Sequence, residues 1–263
     1  MYAFKADSKQ EFLHSKIFTD KNDTIFWITD KLTIYTLDAK DLMSATNVKK
    51  PKKLKLAQEI MINEIQVHPN YPLLYVACAD GHIRVWNYEN LNEYPSLKLK
   101  DKQPFSMTTI NFSPKGDFLL SGDEQGGVMI WNSNQMTSEN TGKLENSLRT
   151  TLYPIVAAKW FTYKPFSETY RFVCLVQDCT AQLYQFQFAD SSSYSRPGMK
   201  KIKSKINLLC VLHLYDELKV KSPLWTYNVR SCEYLMLDKN SPAIGIVWPE
   251  KVSYKFNGSN KLT

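Results

Sequence analysis

The stretch that decides the fold is Glu64-Ile-Gln-Val-His-Pro-Asn-Tyr-Pro-Leu-Leu-Tyr-Val-Ala-Cys-Ala-Asp-Gly-His-Ile-Arg-Val-Trp-Asn87. The chain says the same thing again as Thr109-Ile-Asn-Phe-Ser-Pro-Lys-Gly-Asp-Phe-Leu-Leu-Ser-Gly-Asp-Glu-Gln-Gly-Gly-Val-Met-Ile-Trp-Asn132. Each copy holds a short alternating run, a Pro-centred turn, a second apolar run, a Gly-centred turn and a third run closing on Trp-Asn. Proline breaks pairing at the first turn because it lacks the N–H that a ladder needs. Gly81 and Gly126 mark the second turn, where a tight hairpin requires a positive φ. The runs alternate with a period of two, and no helical period of 3.6 competes with it. Trp86 and Trp131 lie 45 residues apart.

A repeat of that length, made of short strands in meander, is the repeat of a four-stranded propeller blade. The rest of the chain extends the pattern. Phe12–Phe18, Thr24–Thr29 and Leu32–Leu37 read as strands, with Leu54–Ala57 as an outer one. Leu97-Lys-Leu-Lys100 alternates as the exposed outer strand of the second unit, whereas Ser133–Asn146 reads as a polar loop. Beyond Thr150, Ile155–Trp160, Tyr170–Val176 and Ala181–Phe188 repeat the sequence of strands, and Ile206–Leu214 opens a last unit. In that last unit Ala243–Trp248 is the third strand, closed by a Trp. The expectation is an all-β chain, one β-propeller domain over residues 1–263 with blades at about 11–57, 62–103, 107–150, 153–205 and 206–258. Five to six blades are recognisable, so either the ring is small, or blades have diverged, or the ring is incomplete and a partner or a further C-terminal segment completes it. The N-terminal Tyr2-Ala-Phe-Lys5 is expected to supply a strand that seals it.

Composition bounds the function. The chain has 263 residues, 43% of them hydrophobic, which is enough for a substantial core. Its N-terminus holds no apolar block of signal-peptide length, and no apolar run is long enough to span a membrane. The five Cys residues show no zinc-like spacing and read as reduced thiols of a cytoplasmic protein. The net charge of +7 and pI near 9.0 come from clusters at Lys49–Lys55 and Lys200–Lys205, which look like loops between strands. Such clusters attract acidic partners or nucleic acid.

Residues 64–87 and 109–132 resemble the WD-repeat β-propeller family. The resemblance is carried by the Phe112-Ser-Pro-Lys-Gly116 turn, by Ser121-Gly122, by the hairpin glycines and by the Trp that closes each third strand. The chain departs from the family in two ways. The closing Asp is Asn at Asn87 and Asn132, and the Gly-His pair before the first strand is missing in both copies. Asp80 matches the family's turn Asp, while Gln125 stands there in the next copy. The family's buried His–Asp–Trp network is therefore expected to be absent, leaving more of the work to apolar packing. The structural markers the resemblance implies are Asp80, Gly81, Trp86, Gly116, Gly126 and Trp131. The string His68-Pro-Asn-Tyr-Pro-Leu-Leu74, with Asp80–Glu89 after it, is also similar to blades of membrane-coat propellers such as the coatomer alpha and beta-prime subunits.

No residues assemble into a catalytic signature. The four His residues stand in no metal or catalytic spacing. Gly122–Gly127 has the gap of a phosphate loop, but Val128-Met129 follows where Lys-Ser/Thr is required, and it lies in a hairpin. No cofactor and no small-molecule substrate are implied. The expectation is a non-enzymatic scaffold that binds other proteins as an obligate subunit of a larger complex, such as a coat or trafficking assembly. The alternative is an RNA-associated propeller using its basic loops. Candidate partner loops are Asn70, Tyr71 and Lys115 on one face, Glu124 and Gln125 on the other, and Lys52 and Lys53 in the first basic cluster.

Overall fold

The structure is a computed structural model. It describes residues 18–19, 24–28, 33–38, 52–55, 60–99, 105–133, 141–161, 169–178, 180–189, 204–213, 231–236, 242–247, 253–257 and 261–262. Twenty strands in these residues form five four-stranded antiparallel sheets, each a simple meander. Sheet one contains Phe18–Thr19 (β1), Thr24–Ile28 (β2), Thr33–Asp38 (β3) and Lys52–Lys55 (β4). Sheet two contains Ile62–Val67 (β5), Leu73–Cys78 (β6), Ile83–Asn87 (β7) and Glu93–Leu97 (β8). Met107–Phe112 (β9), Phe118–Asp123 (β10), Gly127–Asn132 (β11) and Lys143–Arg149 (β12) make sheet three. Sheet four is Ile155–Phe161 (β13), Thr169–Val176 (β14), Thr180–Gln187 (β15) and Lys205–His213 (β16). Sheet five is Ser231–Met236 (β17), Pro242–Val247 (β18), Ser253–Asn257 (β19) and Lys261–Leu262 (β20).

The first strands of sheets two to five stand in a row, β5 beside β9, β9 beside β13 and β13 beside β17. This is the blade arrangement of a β-propeller: sheet three turns one face toward sheet two and the other toward sheet four. That placement explains the burial. The second strands β6 and β10 are buried at every position, because both of their faces are covered. Leu73, Tyr75 and Ala77 pack with Ile110, Leu119, Met129 and Trp131 of sheet three. The alternate residues Leu74, Val76 and Cys78 pack with Trp86 and Tyr88 on the opposite face. Phe118, Leu120, Val128 and Ile130 form a third core with Trp160, Phe172, Tyr184 and Phe186 of sheet four. A one-residue slip in any of these strands would exchange its two faces.

The repeat is exact in its hydrogen bonds. The first-turn amides of His68 and Ser113 both donate to a carbonyl five residues on, at Leu73 and Phe118. At the opposite end, Ala79, Glu124 and Gln177 each donate to the residue just before a first strand, Met61, Ser106 and Pro154. The third instance carries the repeat into sheet four, where the sequence shows it only faintly.

The outer strands differ from the sequence expectation. The fourth strand of sheet two is Glu93–Leu97, not Leu97–Lys100, and Leu97 is buried. Sheet three gains β12 from Lys143–Arg149, part of which reads as loop in the sequence. Ile206–Leu214 does not open the fifth blade: Lys205–His213 pairs with β15 as the last strand of sheet four. Pro242–Val247 is accordingly the second strand of its sheet and Ser253–Asn257 the third. Lys52–Lys55 is strand β4, paired with Thr33–Thr36, rather than loop. The cases in sheets two, three and four share a physical reason. An outermost strand has one uncovered edge and loose burial, and β8, β12 and β16 each face a register shift in their ladder. Bulges of this kind blur period-two patterning and blunt the edge. Tyr2–Lys5, Trp248 and Lys200–Lys203 lie outside the described residues.

Candidate interaction surface

In a meander, successive turns lie at opposite ends of the sheet, so each blade presents two rims. One rim carries the turns between first and second strands, 68–72 and 113–117. The other carries the turns between second and third strands together with the entrances to the first strands.

The first rim is a clasp. Buried His68 accepts at Nδ1 from the amides of Asn70 (3.0 Å) and Tyr71 (3.2 Å). Its Nε2–H is thereby left to donate to the Gly116 carbonyl of the next blade at 3.2 Å. Asn70 Nδ2 donates to the Lys115 carbonyl at 2.6 Å. Gly116 has φ +80°, and a Cβ there would meet His68 Cε1 at 3.0 Å. On the other side, Tyr170 of sheet four donates its hydroxyl to Asp117 Oδ2 at 3.0 Å. Burial, with the Asp117 carboxylate beside it, pushes the Tyr170 hydroxyl up to about 12. Asn70, Tyr71 and Lys115 are thus brought together as the sequence anticipates, with three blades meeting at one turn. The same rim displays Leu91, 40% exposed at φ 62° in a loop pinned by Asn87 Oδ1 and Asn90 Oδ1.

The second rim is built around Glu124. Its amide donates to the Ser106 carbonyl and its Oε1 accepts from the Ser106 amide. Ser106 Oγ in turn accepts from Asn63 Nδ2 at 3.0 Å. Gly126 (φ +74°) lies so close to the chain before β13 that a Cβ would meet the Thr151 carbonyl oxygen. Hydrogen bonds therefore run across this rim from sheet two to the entrance of sheet four. Large apolar side chains stand exposed on it: Met61 (62%), Leu152 (74%) and Tyr153 (55%).

The two hairpins on this rim reach the same turn by different chemistry. Asp80 is held by Arg84 through a bidentate pair, Nη1–Oδ1 2.9 Å and Nη2–Oδ2 2.7 Å. Partial burial pushes the Asp80 carboxyl up, but the Arg84 bonds and charge outweigh it and hold the group below its usual range. In blade three the turn carboxylate is Asp123, whose Oδ1 accepts from the amides of Gln125 (2.8 Å) and Gly127 (2.7 Å). It does the work that Gln125 cannot. Asp123 and Glu124 are adjacent but diverge, one buried and one exposed, and they make no paired-carboxylate site. Among the described residues no group of three or more His, Cys, Asp or Glu could hold a metal ion. Trp86 and Trp131 are both buried, and Trp131 Nε1 donates to Ser121 Oγ at 2.9 Å. That bond gives the blade-three indole a partner without the family's His.

Met61, Leu152, Tyr153 and the buried Glu64 are the residues that sequence reasoning missed. Leu152-Tyr153 could have been suspected, because two large apolar residues in a turn-like Thr-Thr-Leu-Tyr-Pro segment have no strand to bury them. Lys52 and Lys53 belong to β4, and their side chains lie outside the described residues.

Residues 54–87 and 98–132 match the family described as "WD domain, G-beta repeat". These two stretches of the chain match the WD repeat. Cilia- and flagella-associated protein 251 of Pongo abelii is 30% identical to it over 107 residues, 41% of this chain and 9% of that protein. A WD40 repeat-containing protein of Dictyostelium discoideum is 30% identical over 71 residues, 27% of this chain and 11% of its own length. The chain therefore spans about a tenth of the length of these relatives. Among solved structures, Sqt1 of Saccharomyces cerevisiae superposes with a TM-score of 0.50 at 15% identity, over 75% of this chain and 45% of that one. At that identity the likeness is one of fold. Among the described residues no helix is long and apolar enough to cross a membrane.

Proposed function

We propose that this chain is a non-enzymatic WD-repeat scaffold that binds other proteins through the rim carrying Met61, Leu152 and Tyr153, as a subunit of a larger cytoplasmic complex. One observation carries the reading: exposed apolar side chains stand on a rim stiffened by the Asn63–Ser106–Glu124 hydrogen bonds and by the tight Gly126–Thr151 approach. Large apolar groups on a rigid, polar-framed surface are how protein interfaces anchor. The reduced, buried thiols Cys78 and Cys174 fit a reducing compartment. The similarity to coat propellers rests on His68 and Asn70, whose work here is to clasp the next blade, so the proposal goes no further than complex subunit.

Affinity capture of the tagged chain from its native source tests this. The wild type is expected to bring down a reproducible set of proteins, and Leu152→Ser with Tyr153→Ser to lose it while the fold persists by circular dichroism. An unchanged set in the variant would refute the rim. Complexes that dissolve steeply between low and physiological salt would favour the basic loops and nucleic acid instead.

A further inference from the structure

We propose that strand β16, the outer edge of sheet four, is a docking site for an extended segment of another protein, acidic at its C-terminal end and apolar along the rest. β16 ends the order β13-β14-β15-β16, and among the described residues no strand pairs with its outer side. A bare edge offers a row of backbone N–H and C=O groups to any chain that meets it, so proteins blunt such edges with charge, proline or shortness. The other outer strands of this chain are blunted. β4 is Lys-Lys-Leu-Lys, β8 carries Pro95, β12 carries Lys143, Glu145 and Arg149, and β20 has two residues. β16 has nine residues, about 30 Å of edge, with no charged residue and no proline from Ile206 to Leu212. Its one interruption is the bulge at Leu209, which itself stands exposed.

The register sets what an added strand meets. Ile206 lies opposite Phe186, Leu208 opposite Tyr184 and Val211 opposite Gln182, so these three share the face toward sheet three. Ile206 packs on the core there, as does Leu148 of β12. Leu208 (53% exposed) and Val211 (37%) continue that face into solvent. Asn146 Nδ2 donates to the Ser204 carbonyl at 2.7 Å, which fixes the start of β16 against sheet three. Charge decides the occupant. Residues 191–215 include Arg196, Lys200, Lys201, Lys203 and Lys205 and no Asp or Glu. A second copy paired antiparallel about Leu209 would set Lys205 opposite His213 and bring two such basic stretches together with no acid in either. An antiparallel segment of another protein continues the meander of sheet four. Asp or Glu at its C-terminal end would lie beside Lys205, and its apolar residues beside Leu208 and Val211.

The test places a photo-crosslinking amino acid at exposed Asn207 of β16 and, as a control, at exposed Glu93 of β8, in the full chain expressed in its native source. Adducts are mapped to individual residues by mass spectrometry. Position 207 is expected to capture an apolar segment of another protein with Asp or Glu on its C-terminal side, and position 93 to capture none. That segment, made as a labelled peptide, should bind the wild-type chain. It should lose at least about tenfold in affinity for the chain with Leu208→Lys and Val211→Lys. Lys205→Glu should cost up to about fivefold. Leu152→Ser with Tyr153→Ser should leave the peptide's affinity unchanged, which separates this edge from the rim of Met61, Leu152 and Tyr153. Should the lysine variant fail to fold, by circular dichroism, the adduct map of the wild-type sequence decides. An adduct from position 207 to a second copy, to another part of the same chain, to nucleic acid or to a segment without acids would overturn the proposal, as would no adduct at all.

Discussion

Blade three is joined to blade two by hydrogen bonds over a core of mixed aliphatic and aromatic side chains, and to blade four by hydrogen bonds over a core dominated by aromatic rings. On the blade-two side, buried Glu64 Oε2 accepts from Thr109 Oγ1 at 2.7 Å and from the Ile110 amide at 2.9 Å. Asn63, His68 and Asn70 add further bonds to the same neighbour. On the blade-four side, Phe118 alone meets Tyr170 (4.9 Å), Phe188 (5.1 Å) and Phe186 (5.2 Å) between ring centroids. Trp160 packs on Phe172 at 5.3 Å, and Phe172 stacks on Tyr184 at 5.1 Å. The difference shows how a divergent repeat stays joined. Where the usual buried network is missing, both junctions rebuild polar contacts between blades, through Glu64 on one side and Asn111 on the other, and the blade-four side adds ring area.

The aromatic junction should be the costlier to break. Phe118→Ala is expected to lose about 3–5 kcal/mol in denaturant unfolding, because the rings around it cannot collapse into the cavity. Glu64→Gln should cost less, about 1.5–3 kcal/mol, by setting an amide N–H₂ against one of two buried donors. Its loss should be steepest in protection of β5 and β9 by hydrogen exchange. Gly116→Ala strains a left-handed residue against His68 and should cost about 1–2 kcal/mol in the same unfolding measurement. The alkaline limb offers a finer distinction. Tyr170 is held protonated in the fold, its hydroxyl pushed up to about 12, whereas a released phenol titrates near 10. Its contribution is present below about pH 10 and lost as pH rises toward 12. Tyr170→Phe should flatten that fall, as read by unfolding midpoints across alkaline pH. Leu91→Gly, away from both junctions, should act in the opposite direction and stabilise by about 0.5–1 kcal/mol through relief of φ 62°.

The repeat from 64 to 132 was legible because its information is local. Proline and glycine mark turns, alternation marks strands, and Trp86 and Trp131 mark register. Sheet four was legible in its first three strands for the same reason. The outer strands were not, because Leu97, Glu145 and Leu209 sit at or beside bulges, where apolar residues can be exposed and charged ones paired. Inter-blade chemistry was hidden more deeply. Nothing local in Glu64 announces Thr109, or in His68 announces Gly116, since these partners meet only when two blades close. Of the expected partner loops, Asn70 and Lys115 proved to hold each other. The exposed apolar residues that single out the opposite rim lie in segments without periodicity, so no pattern drew attention to them.

The rim of Met61, Leu152 and Tyr153 is expected to meet a protein partner. A photo-crosslinking amino acid placed at Tyr153, and separately at Asn70, in the chain expressed in its native source tests it directly. A discrete protein adduct is expected from position 153 and little from position 70. Adducts from position 70 with none from 153, or adducts to nucleic acid alone, would contradict it.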